Sequence, residues 1–413
     1  MAFIEEEINM GNNLLIAQSG GPTAVINASL AGVIQAAFDQ PDIDKVYGAL
    51  HGLEGVLNNR ILDLGNAFSN PDLLEKLKRT PAMALGSCRF KLAKTPDKNY
   101  EKIAQTLREL KISYFLYNGG NDSMDTVDKL SNYFERSGMD VKCIGIPKTI
   151  DNDLVETDHT PGYGSAARFV AQSIRDIYCD SAVYDRHSVT IVEIMGRNAG
   201  WLTAASVLAR SQEISAPHLV YLPEKAFDRN SFLQQVEKLS QRQKTIIIAV
   251  SEGIKFPSGE YVNEDTKSEH DSFGHAALAG SGRYLEHMIR TEFGFKTRTI
   301  EFSTLQRSAA HLASSVDLKE AYRCGLKAVE FAAGGYNRVM VSIQRISDNP
   351  YLVKYVPVDV SKVANKEKLI PEDWITTNGI DLTQDFINYV KPLLGKDPFP
   401  SLFMFLKEDL KTN

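Results

Sequence analysis

The chain has 413 residues, enough for two or three domains with ample core. Its 43% apolar and 24% charged residues are ordinary for a globular protein, and a net charge of −6 leaves no basic field of the kind that nucleic-acid binding needs. The cysteines Cys88, Cys143, Cys179 and Cys324 are scattered without a CxxC pair, which argues against a zinc site or a disulfide framework and for a reducing cytoplasm.

The N-terminal Met-Ala-Phe-Ile-Glu-Glu-Glu is acidic where a signal peptide would be basic. No apolar run approaches the roughly 18 residues of a membrane span. Leu14 to Ala17 reads as a short strand, followed by Gln-Ser-Gly-Gly-Pro-Thr and a helical pattern from Ala24 to Phe38. Strand, glycine pair (Gly20, Gly21) and helix start form a phosphate-binding arrangement, because the glycines admit close backbone approach and the helix end offers free N–H groups. Alone it is a common turn. Val46 to Leu50 is a second strand, and a polar region then runs to Thr80. Pro81 to Lys91 carries a Gly86-Ser87 turn with Arg89 and Lys91, which faces either an anion or solvent. Asn99 to Leu110 has apolar residues three or four apart, as an amphipathic helix requires.

Ser113 to Tyr117 predicts a strand running into Asn-Gly-Gly-Asn-Asp-Ser, so Gly120, Asn121, Asp122 and Ser123 repeat the glycine-turn pattern. Asp125 and Asp128 beyond them read as solvated. The next apolar run, Val141 to Ile146, is stopped by Pro147 and delivers Lys148, Thr149, Ile150, Asp151 and Asp153 in quick succession. Ligands of α/β proteins bind outside the carboxyl ends of strands. There a carboxylate beside a cation suits phosphoryl transfer, one removing a proton and the other neutralising phosphate charge. A surface turn is the plain alternative.

Further along, Pro161 to about Tyr178 reads as a helix, and Ser188 to Ile194 as a β-branched strand capped by Met-Gly-Arg-Asn-Ala-Gly-Trp. His218 to Leu222 and Thr245 to Val250 are strands, the second placing Glu252 at its end. A hairpin-like stretch over Phe256 to Ser272 precedes a helix to about Arg290, a strand Lys296 to Phe302 and the run Ser303 to Ser308. A helix Leu318 to Ala333 and a strand Arg338 to Ile343 follow. Pro350 to Leu394 reads as irregular, and Ser401 to Leu410 as a last helix. Strands alternate with helices in two successive sets, which predicts an α/β fold of two Rossmann-like domains with mainly parallel sheets.

Taken together, these stretches resemble the phosphofructokinases, most closely their pyrophosphate-dependent branch. The matches run in the family's order from Ser19 to Arg307, and Pro-Lys-Thr-Ile-Asp-Asn-Asp followed by Met-Gly-Arg-Asn-Ala-Gly-Trp is the most specific part. The resemblance implies transfer of phosphoryl from pyrophosphate to the 1-hydroxyl of fructose 6-phosphate, reversibly and with Mg2+, in a cleft between the domains. By the same resemblance Asp151 is the general base, and Thr149 and Ile150 belong to the substrate run. Met195, Gly196 and Arg197 contact the sugar phosphate, Glu252 the sugar hydroxyls, and Arg298 and Arg307 clamp the 6-phosphate, with Thr304 and Gln306 beside them. Gly20, Gly21, Arg89, Gly120 and Ser123 hold the donor phosphates, while Asn121 and Asp153 lie at the metal. Residues 1–160, completed by part of 307–413, are expected to bind the donor, 161–306 the sugar phosphate, and 350–395 has no assigned role. In the family Arg298 comes from a neighbouring subunit, which implies a homodimer or homotetramer.

The branch rests on Asp122 and Lys148, where ATP-using members carry glycine. A carboxylate there fills the nucleotide's space and faces a like charge. At ~4 Å and an effective dielectric near 20 the repulsion is roughly 4 kcal/mol, or about three decades of affinity. Lys148 supplies positive charge where a shorter donor must be held. Three positions depart from the pattern: Asn121 replaces an aspartate and keeps an oxygen without the charge, Ser188 stands where ATP-type enzymes have a cross-subunit arginine, and Thr304 replaces a histidine. The alternatives are an ATP-dependent phosphofructokinase, which Asp122 and Lys148 oppose, and a non-catalytic phosphometabolite-sensing subunit, which retention of Lys148, Thr149 and Asp151 opposes. A dinucleotide oxidoreductase lacks its full GxGxxG after Ala17.

Overall fold

The computed structural model describes residues 12–263, 280–396 and 398–402. Among these the strands are, in chain order, β1 (Asn13–Gln18), β2 (Val46–Ala49), β3 (Ile61–Asp63), β4 (Ile112–Gly119), β5 (Lys142–Pro147), β6 (Ser188–Ile194), β7 (Leu219–Tyr221), β8 (Thr245–Ser251), β9 (Lys296–Glu301), β10 (Val339–Asp348) and β11 (Tyr351–Asp359).

One compact unit holds the chain up to Ile150, with Leu154–Gly162 and Asp317–Glu367. Its sheet has the order β11-β10-β5-β4-β1-β2-β3. The inner pairs are parallel, and β3 and β11 lie antiparallel at the edges. Both faces are covered, which is why β1 is a continuous apolar run rather than an alternating one. Leu14 and Ile16 face Leu30, Val33 and Cys324 on one side. Leu15 and Ala17 face Ile103, Leu107, Val127 and Leu130 on the other. Each such fully buried leucine or isoleucine contributes about 1.5–3 kcal/mol. Because β2 lies on one side of β1 and β4 on the other, the chain leaves these two strands in opposite directions. The carboxyl ends of β1 and β4 therefore open a crevice.

The second unit holds Asp151–Asp153, Tyr163–Val316 and the chain from Lys368. Its sheet, β7-β8-β6-β9, is parallel throughout the described residues. Val189, Ile191, Ile246, Ile248 and Val250 pack against Phe232, Val236, Leu285 and Ile289 of flanking helices. Here the strand order reverses at β6, with β8 on one side and β9 on the other. No helix among the described residues is long and apolar enough to cross a membrane.

Three readings of the sequence are corrected. The region before Thr80 contains helix Gly52–Leu57, strand β3 and helix Pro71–Arg79. That last helix carried a start signal, Pro71 at its first turn and Asn70 capping the Asp72 N–H. The stretch from Pro350 is not irregular, since β11 pairs with β10 from Asp348↔Tyr351 to Val339↔Asp359 and a helix spans Gln384–Val390. Pro357 fits within β11 because an edge strand tolerates a residue without a donor. Asp125 and Asp128 are not solvated: Asp125 is 7% exposed and pairs with Lys129 at 2.5 Å, and Asp128 pairs with Arg338 at 2.6 Å. The hairpin begins with a Lys255↔Tyr261 bridge, and its part beyond Asn263 lies outside the described residues, as does the helix read from Ser401 beyond Leu402.

Candidate active site

In the first unit three strand ends converge. After β1, Gly20 takes φ +78°, a left-handed conformation that favours glycine. A methyl group there would stand 3.2 Å from Lys148 Nζ and would press on the ammonium. Ser87 Oγ donates to Gly20 O at 2.6 Å, and Gly20 N donates to Cys88 O at 3.4 Å. The Gly86–Arg89 turn is thereby fixed beside the first glycine pair, with Arg89 exposed. After β4, Gly119 and Gly120 lead into helix Asn121–Arg136, whose N-cap is Gly120 and makes no side-chain capping bond. Ser19 and Ser123 hydroxyls bridge the two turns at 2.5 Å. After β5, Lys148 N donates to Gly119 O at 3.0 Å. Its Nζ reaches across to Gly21 O at 2.7 Å while the residue is only 3% exposed. The Lys148 ammonium is therefore a buried positive charge set between two glycine turns.

Asp122 lies in the first turn of that helix and pairs with Lys91 at 3.2 Å, both side chains roughly half-exposed. The cation Lys91 of the Gly86-Ser87 turn thus meets a carboxylate, and no spacing signal in the sequence ties it to Asp122. The Asn121 carboxamide is engaged at both ends, accepting from Asn365 N and donating to Lys366 O. Thr149 N donates to Pro161 O at 3.2 Å and Thr149 O accepts from Thr160 Oγ1 at 2.8 Å, so this residue is held by the returning chain. Ile150 is buried behind it.

In the second unit the ends of β6, β8 and β9 meet. Gly196 takes φ +148°, and a methyl there would lie 2.7 Å from Ala199 O and 2.9 Å from Ser251 Oγ. Met195 N donates to Gln306 Oε1 at 3.2 Å, and Gln306 is itself buried and donates to Ser303 O. Gly196 N donates to Glu252 Oε1 at 3.4 Å, and Glu252 N donates to Ile194 O at 3.0 Å. Burial pushes the Glu252 carboxyl up to about 7; the Gly196 N–H pulls it back, and the charges of Asp151 and Glu193 add to the rise. Asp151, Met195, Gly196, Arg197, Glu252 and Gln306 therefore belong to one neighbourhood. Arg307 follows Gln306 on the short helix Leu305–Ser308, with Thr304 exposed at its start. Arg298 stands apart on β9, part-exposed and 3.4 Å from Asp180. Sequence reasoning missed Glu193, which is 5% exposed and accepts from Gly280 N and Gly282 N at 3.2 and 2.7 Å. The signal was present, a single carboxylate inside the apolar run Ser-Val-Thr-Ile-Val-Glu-Ile.

Among the described residues no group of three or more His, Cys, Asp or Glu side chains is placed to hold a metal ion.

The family model described as Phosphofructokinase matches residues 13–332. A Pyrophosphate--fructose 6-phosphate 1-phosphotransferase of Xanthomonas campestris pv. campestris (strain B100) is 42% identical, with 94% of this chain and 92% of that protein aligned. The crystal structure of a pyrophosphate-dependent phosphofructokinase from Nitrosospira multiformis superposes with a TM-score of 0.85 at 37% identity, covering 96% of this chain and 95% of that one. The corresponding protein of Marinobacter aquaeolei gives 0.83, also at 37% identity, covering 95% and 94%.

Proposed function

The chain belongs to the phosphofructokinase family, and from that membership we propose that it moves phosphoryl from pyrophosphate to the 1-hydroxyl of fructose 6-phosphate, releasing orthophosphate. The observation that carries this reading is the buried Lys148 ammonium, 2.7 Å from Gly21 O between the two glycine turns. It offers the positive charge that a two-phosphate donor needs, while the Asp122 carboxylate stands where a nucleotide would need room.

The first unit's turns, Gly20, Gly21, Gly120 and Ser123 with Arg89, bind the donor through backbone N–H groups and positive charge. Lys148 neutralises charge that grows on the transferring phosphoryl. Asp151 accepts the proton of the 1-hydroxyl as its oxygen attacks phosphorus, and the bond to the departing orthophosphate breaks. Met195, Gly196 and Arg197 receive the sugar phosphate with Arg307, Thr304 and Gln306, and Glu252 accepts from sugar hydroxyls. Asp153 would hold Mg2+ with the donor phosphates, because the Asn121 carboxamide is already taken by residues 365 and 366. When bound, the ion neutralises phosphate oxygens. Arg298, exposed enough to leave Asp180, is available to the sugar phosphate of a second copy in a homo-oligomer.

A donor comparison on purified protein with magnesium tests the proposal. Turnover with pyrophosphate and little with ATP is expected, as is pyrophosphate formation from fructose 1,6-bisphosphate and orthophosphate. Efficient ATP use without pyrophosphate turnover overturns it.

A further inference from the structure

The turn Asp151-Asn152-Asp153 is held from an unexpected direction. Asn152 is fully buried and adopts φ +53°, a conformation that asparagine tolerates better than most residues and that still needs support. Its Nδ2 donates to Tyr389 Oη at 3.0 Å, a residue 237 positions later in the chain. One residue further on, Asp153 O accepts from Lys368 N at 2.8 Å. Lys368 O in turn accepts from Trp201 Nε1 at 2.8 Å, and the Lys368 ammonium stands 5.3 Å from the centre of the Trp201 ring.

The Tyr389 ring is fixed by its neighbours. It packs at 5.6 Å on Trp201 and at 5.1 Å on Trp374, and Phe386 stacks on Trp201 at 6.2 Å. Aromatic pairs at such distances hold one another's orientation beyond what their buried area alone would do. Glu224 Oε1 completes the frame by accepting from Gly200 N at 2.9 Å and from Ile370 N at 3.3 Å. The C-terminal segment 368–390 is thus anchored to Gly200-Trp201, just after Met195-Gly196-Arg197, and carries a rigid hydroxyl to the middle of the acidic turn.

We propose that Tyr389 is a positioning residue for the phosphoryl-transfer step: its hydroxyl holds Asn152 in the left-handed conformation, and so fixes the directions of Asp151 on one side and Asp153 on the other. This rests on the functional reading above. A left-handed residue between two carboxylates sets their relative aim, and misplacement of a base by about 1 Å costs on the order of a hundredfold in rate. The C-terminal segment is therefore part of the catalytic apparatus through Tyr389 and its hold on Asn152.

The test is a double-mutant cycle on the full chain. Tyr389→Phe keeps the aromatic packing and removes one oxygen, whereas Asn152→Gly keeps the conformation accessible and removes the other partner. Each single variant should lose about ten- to a hundredfold in kcat with KM for sugar and pyrophosphate changed less than about threefold, and the acid limb of the kcat–pH profile should shift. The double variant should be no worse than the poorer single one, because both substitutions break one contact. Should Tyr389→Phe not fold, Asn152→Gly alone must show the kcat loss. Full kcat in the soluble Tyr389→Phe protein, or additive losses in the double variant, overturns the assignment while pyrophosphate turnover by the wild type keeps the functional reading. An inactive wild type overturns both.

Discussion

Replacing Glu252 by glutamine tests the electrostatics around this buried carboxyl through stability, without a substrate. The side chain ends β8 in a buried setting with Asp151 and Glu193 as negative neighbours, and its carboxyl is pushed up from 4.5 to about 7. That displacement corresponds to roughly 3 kcal/mol of preference for the neutral acid in the folded protein. Since the folded state holds its proton more tightly than the unfolded one, the associated stability is fully present below about pH 4.5. It is lost as pH rises towards about 7, where the carboxylate has to ionise inside the fold. Glutamine has the same shape, retains an oxygen to accept from Gly196 N, and does not titrate. The stability of Glu252→Gln relative to wild type should therefore grow by roughly 2–3 kcal/mol between pH 5 and pH 8. Urea unfolding followed by circular dichroism at several pH values in that range measures it. The same variant should bind the sugar phosphate less well, as expected when binding repays the cost of the buried charge. A stability difference that stays flat with pH, or shrinks, refutes the reasoning.

Asp151→Asn should lower kcat by about 10²–10⁴ with sugar binding nearly unchanged, read by steady-state kinetics and calorimetry; surviving turnover removes Asp151 as the base. Lys148→Met should cost about 10²–10³ in kcat with pyrophosphate, because a preorganised charge is withdrawn from the transferring group. Asp122→Gly should raise kcat/KM for ATP by about ten- to a hundredfold; the half-exposed Lys91 partner discounts the full like-charge repulsion, and an unchanged ATP rate counts against the exclusion argument. His159 lies between Asp158 and Glu320, 2.7 Å from each, and burial lowers its pKa, but the two carboxylates outweigh that and raise it to about 9. Its protonated form stabilises the fold fully below about pH 6.5, and this is lost as pH rises through about 9. The stability advantage of wild type over His159→Gln should accordingly shrink between pH 7 and pH 10 in thermal melts.

Local chemistry in the sequence decided much of this protein. Continuous apolar runs such as Leu14 to Ala17 mark strands buried on both faces, and glycine pairs mark the turns that follow β1 and β4. The single run from Pro147 to Asp153 carries the cation and the carboxylates at one strand end. Such signals are short-range, because a turn's φ values and a strand's burial pattern are written in adjacent residues. Only the tertiary structure decided that Lys148 Nζ meets Gly21 O, that Asp125 and Asp128 are paired with Lys129 and Arg338, and that Glu252 sits close enough to Asp151 to raise its pKa. Nor does any local pattern connect Asn152 to Tyr389. A contact 237 residues apart depends on how the returning C-terminal chain is anchored by Trp201 and Glu224, and period and propensity carry no information about that path.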